Sequence, residues 1–311
     1  MYWMNWKTCS HIMEQTTLFP EAQLDPVRGH IVNVASVPQR SPFRYPGGKT
    51  WLIPIVRRWL KSLPAKPTEL IEPFAGGAIV SLTAAFEELA ESILMVERDD
   101  AVSAVWETIL NGGSRRLAER IVQFDLTLEN VRREIAKIDE SGDDLAFHTI
   151  LRNRVNHGGI LAPGSGVLKH GENGKGIRSR WYPETLYKRI VDITQVKERL
   201  RFIHGDGLTV LRENAHRTNI VFFIDPPYTA AGKKAGKRLY AHNELDHEEL
   251  FAIAANLRGD FLMTYDNAVG VEALARQHNF DTYAIAMKNT HHAEMTELLI
   301  ARNLDWAKRS A

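Results

Sequence analysis

The stretch Val221-Phe222-Phe223-Ile224-Asp225-Pro226-Pro227-Tyr228 decides the fold. Its four apolar residues, two aromatic and two β-branched, read as a strand buried on both faces. Pro226 and Pro227 stop the strand, because neither has an N–H to give to a ladder. An acid, two rigid imino acids and an aromatic ring therefore gather at the carboxyl end of a central strand, where open α/β sheets hold their ligands. Asp225 and the carbonyl of Pro226 can each accept a hydrogen bond, and Tyr228 offers a ring face. The combination suits a planar group that carries an amine.

Toward the amino terminus, Glu69-Leu70-Ile71-Glu72-Pro73-Phe74-Ala75-Gly76-Gly77-Ala78 predicts a short strand, a tight glycine turn and a helix running to about Leu89. This is the first βα crossing of a nucleotide-binding sheet, where small residues admit a ligand close to the backbone. About twenty residues on, Ile93-Leu94-Met95-Val96 predicts a second buried strand ending in Glu97, placed to accept the ribose hydroxyls of an adenosine ligand. The full dinucleotide fingerprint and a Walker lysine are missing, which disfavours phosphate-bearing cofactors. Earlier still, Phe43-Arg44-Tyr45-Pro46-Gly47-Gly48-Lys49 leads into a helical pattern at Trp51, Leu52, Ile55, Val56 and Trp59. The glycine pair with Lys49 reads either as a helix entry that an anion can approach or as an ordinary turn. Residues 1–40 read as an extension in which Pro20, Pro26 and Pro38 prevent long elements.

Ala101 to Ile138 predicts two amphipathic helices around Asn111-Gly112-Gly113-Ser114, with core packing as their role. From about Asp143 the composition changes. Residues 152–182 hold six basic side chains, Arg152, Arg154, Lys169, Lys175, Arg178 and Arg180, against the single acid Glu172. Such a glycine-rich, basic stretch reads as a groove-reading insert that grips phosphate, or else as a solvated excursion. Pro183 to Leu200 predicts a helix with Lys188, Arg189, Lys197 and Arg199 outward, then a strand from Arg201 to Asp206. Asp206 either accepts from an adenine amine or caps a helix at Gly207–Asn214. Past the central strand, Gly232-Lys233-Lys234-Ala235-Gly236-Lys237-Arg238 is a basic loop suited to a phosphate backbone. A helix (Asp246–Leu257), a strand (Phe261–Tyr265), a helix near Val271 and a strand pair (Thr282–Met287 and Met295–Ala301) complete the reading.

Composition bounds the class. With 44% hydrophobic and 25% charged residues the chain reads as globular, and no apolar run approaches the ~18 residues of a membrane helix. The first residues lack a charged head followed by an apolar core, so no signal peptide is expected. Cys9 is the lone cysteine, which excludes an internal disulfide and points to a cytoplasmic location. His291 and His292 are adjacent rather than spaced as ligands, so no metal site is expected. A net charge of +1 requires any nucleic-acid surface to come from local clustering.

Together these motifs resemble the Dam-type (D12 class) DNA adenine N6-methyltransferases, from about Ser41 to Asn303. Asp225-Pro226-Pro227-Tyr228 is similar to the family's catalytic tetrad, Phe43 to Lys49 to its N-terminal cofactor motif, and Glu72 to Gly77 to its glycine loop. Glu97 matches the ribose acid, and Asn289 to Leu299 resembles the late motif near the target-base pocket. The resemblance implies an α/β fold, a Rossmann-like, seven-stranded mixed sheet that uses S-adenosylmethionine. The implied catalytic domain is 41–142 with 200–303, the target-recognition insert 143–199 and a tail 304–311. It implies cofactor contacts at Tyr45, Lys49, Glu72, Phe74, Gly76, Gly77, Glu97, Asp206 and Asp225, and catalysis by Asp225, Pro226 and Tyr228. The expected partner is double-stranded DNA, gripped by the six basic residues of the insert and by Lys233, Lys234, Lys237 and Arg238. The target base would be flipped onto Tyr228 by an enzyme acting as a monomer, with a restriction endonuclease as possible companion. Methylation of RNA or of a cytosine amine, or a non-catalytic DNA-binding relative, are the competing readings; aspartate at the head of the tetrad favours adenine over cytosine. Ala78 stands where many relatives have glycine. The insert also lacks the aromatic and arginine pattern of GATC readers, so that specificity is not implied.

Overall fold

The computed structural model describes residues 37–44, 48–137, 142–162, 165–171, 174–227, 245–267, 269–288 and 294–308, with main chain only at 269, 286–288 and 294–295. Most of the expected extension, Tyr45, Glu172, Tyr228, the basic loop 232–238 and the pair His291–His292 lie outside the described residues.

The strands are β1 (Glu69–Glu72), β2 (Ser92–Glu97), β3 (Leu200–His204), β4 (Ile220–Ile224), β5 (Asp260–Asp266), β6 (Asp281–Lys288) and β7 (Glu294–Ala301). They form one seven-stranded sheet in the order β3-β2-β1-β4-β5-β7-β6. The first five in that order are parallel, and β7 runs antiparallel between β5 and β6. This is the seven-stranded, mixed, Rossmann-like sheet that the resemblance implies. From β1 the chain steps outward through β2 to β3, then returns to β4 on the other side of β1. The direction of winding thus reverses between β1 and β4, and the crevice at their carboxyl ends is the ligand position of such sheets.

Strand parity sorts the core. Leu70, Ile93, Met95, Val221, Phe223 and Leu262 pack on one face, and Ile71, Leu94, Val96, Phe222, Ile224, Phe261 and Met263 on the other. The second face is covered by α8 (Gly207–Asn214), α9 (His247–Asn256) and α10 (Val269–Gln277). The first is covered by α1 (Ile53–Ser62), α2 (Ile79–Phe86) and α3 (Asp100–Thr108), with more helices beyond. Helix starts follow capping chemistry: Asp99 caps α3, Asp206 caps α8 and Asp246 caps α9 through side-chain oxygens.

Several boundaries differ from the sequence expectation. The region 101–138 holds three helices: α3, α4 (Ser114–Gln123) and α5 (Leu128–Ile135), since Thr127 accepts from Asn130 N–H and opens the third. Gly112, at φ +91°, allows the kink between the first two. The expected insert opens with helix α6 (Asp143–Val155), and nine of its thirteen residues are buried. The second half includes α7 (Pro183–Ile193), which ends well before Leu200, where β3 begins. Phe147, Ile150 and Leu151 of α6 and Leu186, Ile190 and Ile193 of α7 belong to the same hydrophobic cluster as α1 to α3. The residues 143–199 thus share the core of the sheet domain. The expected tail holds α11 (Asp305–Lys308), anchored by the fully buried Leu304. Among the described residues no helix is long and apolar enough to cross a membrane.

Candidate active site

A cavity of about 480 Å³ opens at the carboxyl ends of β1, β2 and β4. Its lining includes Lys49, Glu72, Phe74, Gly76, Gly77, Glu97, Asp206, Asp225 and Pro226. Each residue expected to contact the cofactor, apart from Tyr45, is therefore at one cavity, as is each described residue of the tetrad.

The turn after β1 shapes the floor. Gly76 adopts φ +47° and Ala78 φ +49°, so the chain doubles back before α2 begins. Ala78 holds the left-handed conformation despite its Cβ, and its N–H donates to the Ala75 carbonyl at 2.6 Å. Trp106 of α3, fully buried, donates its indole N–H to the Gly76 carbonyl at 2.9 Å and fixes the turn from below. Glu97, at the end of β2, accepts the backbone N–H groups of Gly76 (2.8 Å), Arg98 (2.8 Å) and Asp99 (2.9 Å). Burial raises its pKa, and the three N–H donors oppose that rise. Its carboxyl group is immobilised at the cavity wall.

The two acids of β1 show what position does. Glu69, at the amino end, is saturated by Arg217 at 2.6 Å and by Arg201. Glu72, at the cavity end and 3% exposed, accepts the N–H of Ser81 at 2.9 Å. Burial pushes Glu72 up to about 8; Ser81 pulls it down, while Asp225 and Glu97 add to the rise. Near neutral pH, Glu72 therefore retains its proton in the folded chain.

Asp225 is held at the tip of β4. Its Oδ1 accepts from Thr264 Oγ1 at 2.8 Å and faces Lys49 Nζ at 3.1 Å. Lys49, in the short 3-10 turn before α1, is buried and also stands 3.5 Å from Glu297 Oε2 on β7. Burial raises Glu297 to about 7, Lys49 lowers it, and Asp225 and Asp266 raise it further. One lysine thus lies between two carboxyl groups. Thr264 and Glu297 were not singled out from sequence, although each interrupts an apolar strand with a polar side chain. Asp206 caps α8, its Oδ2 accepting from Thr209 N–H (3.0 Å) and Oγ1 (2.9 Å), and it lines the cavity as well. Of its two expected roles, the capping one is directly visible.

The basic residues of the insert divide. Lys169, Lys175 and Arg178 are exposed, and Arg180 is half-buried. Arg152 is also half-buried and donates to the Ile135 carbonyl at 3.2 Å. Arg154 departs from the expectation of a surface cation: it is 6% exposed, lines the cavity and donates to the Pro42 carbonyl. Arg189, expected outward, also lines the cavity and donates to the Ser41 carbonyl at 3.1 Å. Both turn inward because the segment 41–44 lies against α6 and α7 and presents its carbonyls there. Asn153 completes this clamp by accepting from Arg44 N–H (2.8 Å) and donating to the carbonyls of Arg44 and Gly159, both at 2.9 Å.

No family model matches the chain, and neither does any curated protein. Among solved structures, the chain is similar to the rRNA methyltransferase aviRa from Streptomyces viridochromogenes, at 12% identity over 86% of this chain and 90% of that one, TM-score 0.39. It is also similar to precorrin-6y C5,15-methyltransferase from Geobacter metallireducens, at 9% identity over 79% of this chain and 85% of that one, TM-score 0.33. The strand order assigns the fold.

Proposed function

We propose that this chain is a methyltransferase acting from S-adenosylmethionine on the N6 amine of an adenine in duplex DNA. The observation that carries the reading is Asp225 and Pro226 at the winding reversal, fixed by Thr264 and Lys49 and lining the same cavity as Glu97. The residues present fit the cofactor. An anchored carboxyl group suits ribose hydroxyls, a floor of small residues admits a nucleoside, and the Asp225 carboxylate at the same cavity suits a cation.

When bound, the cofactor supplies an electrophilic methyl group on a cationic sulfur. Glu97 would hold the ribose. Asp225 and the Pro226 carbonyl would each accept one N–H of the adenine amine, turning its lone pair toward the methyl carbon. Thr264 and Lys49 prevent Asp225 from rotating, so the acceptor is oriented before the substrate arrives. The excess amine proton leaves to Asp225 or to water. By resemblance Tyr228 supplies the stacking face for a flipped base.

The test is incubation of mixed-sequence duplex DNA with labelled S-adenosylmethionine, then digestion of one part to nucleosides and modification-sensitive sequencing of the rest, with Asp225→Ala as control. N6-methyladenine confined to one short motif and absent from the control supports the reading. Label on cytosine, or on RNA alone, corrects the substrate. Equal labelling by the two proteins refutes the mechanism.

A further inference from the structure

The ionisable side chains of the cavity lining fall into two groups. Acids neighbour acids, as Glu72 feels Asp225 and Glu97, and arginines neighbour arginines, as Arg154 feels Arg189 and Arg44. The second group is costly as it stands. Arg154 is 6% exposed, and its Nε is buried without a hydrogen-bond partner. Burial, with the charges of Arg189 and Arg44, lowers its guanidinium to about 9. Among the described residues neither Arg154 nor Arg189 is paired with a carboxylate; the carbonyls of Pro42 and Ser41 accept from them but cancel no charge. Buried like charges of this kind call for an anion to join them.

We propose that Arg154 and Arg189 form an oxyanion site in the cavity, and that it takes the carboxylate of the cofactor's amino-acid end. The assignment rests on the cofactor reading above. Burial favours a carboxylate on a small ligand over the phosphate of a duplex, since phosphate-gripping cations stand at the surface whereas Arg154 is almost wholly enclosed. The lining also matches a ligand with a cationic centre and an anionic end: the Asp225 carboxylate for the first, guanidinium groups for the second. Guanidinium forks bind carboxylates through paired, charge-assisted hydrogen bonds. Sequence reading had assigned Arg154 to DNA and given Arg189 no role in binding.

The test is isothermal titration of the full chain with S-adenosylmethionine and with its decarboxylated analogue, for wild type, Arg189→Gln and Arg154→Gln, each checked by circular dichroism. Wild type should bind the carboxylate form about 10- to 100-fold more tightly. Arg189→Gln should weaken that form about 10-fold and leave the analogue unchanged. Arg189 is half-buried, so this variant keeps the test decisive even if Arg154→Gln does not fold. Equal wild-type affinity for the two ligands, or equal weakening of both, overturns the site. Weakened duplex binding with both cofactor affinities unchanged would assign the arginines to phosphate and also overturn it. Wild type that binds neither ligand removes the cofactor reading, and this site falls with it.

Discussion

Replacing Lys49 with methionine keeps the side chain's length, removes its charge and tests how the site holds its acids. The ammonium stands 3.1 Å from Asp225 and 3.5 Å from Glu297, with the lysine and Glu297 side chains each 4% exposed. Breaking a buried pair by removing one partner costs about 3–5 kcal/mol, and Lys49→Met should lose about that much at ~pH 6.5. The penalty should then grow with pH. Glu297 keeps its proton up to about 7, because burial, with Asp225 and Asp266, outweighs Lys49. An unfolded glutamate releases its proton near ~4.3, so between those values the folded chain binds one proton more and loses stability as pH rises. In the wild type that loss ends as Glu297 ionises near about 7. Without Lys49 the proton stays longer, and the loss continues at about 1.4 kcal/mol per pH unit. From ~pH 6.5 to ~pH 8.5 the penalty should widen by about 2 kcal/mol. Glu72, which ionises at about 8, acts in both proteins alike and cancels. Urea unfolding of wild type, Lys49→Met and Lys49→Met/Glu297→Gln at the two pH values measures the difference. A penalty flat with pH, or one that still widens in the double variant, would refute the reasoning.

Three further outcomes are expected. Thr264→Val removes the hydroxyl that donates to Asp225 at 2.8 Å; turnover should fall about 10- to 100-fold, with cofactor affinity by titration unchanged. Asn153→Leu removes three hydrogen bonds to the backbone of Arg44 and Gly159; buried polar groups left unpaired should lower the unfolding free energy in urea by about 3 kcal/mol. Gly207→Ala would drive a Cβ into the Pro73 carbonyl oxygen where α8 approaches the loop after β1. It should cost about 1–3 kcal/mol, read as a lower melting temperature, and an unchanged value would mean the loop yields freely.

What the sequence made legible lies at strand ends. β4 was readable because two prolines cut a run of β-branched and aromatic residues, and the winding of α/β sheets then places Asp225 in the crevice. Glu97 was readable for the same reason, one βα unit earlier. Helix α6 was not. It is packed on most sides, so the periodicity that marks a surface helix is absent, and Asn153 and Arg154 look like polar loop residues. They are buried because the carbonyls and N–H groups of 42–44 and 159 need partners, and that need exists only once distant segments meet.

Glu297 marks the other boundary of what sequence can say. Its strand was foreseen, and an acid within Met295 to Ala301 is an obvious interruption of an apolar run. Which face it occupies depends on register, since a shift of one residue turns every side chain to the opposite side. Here β7 enters antiparallel between β5 and β6, pairing Glu297 with Asp266 and Leu299 with Thr264. That insertion lets Glu297 share Lys49 with Asp225, whose strand lies on the far side of β5. The buried charge is therefore assembled from the 3-10 turn before α1, β4 and β7. A carboxyl group in an apolar strand with no nearby partner in sequence is a reason to look for a buried cation, and here Lys49 stands beside it.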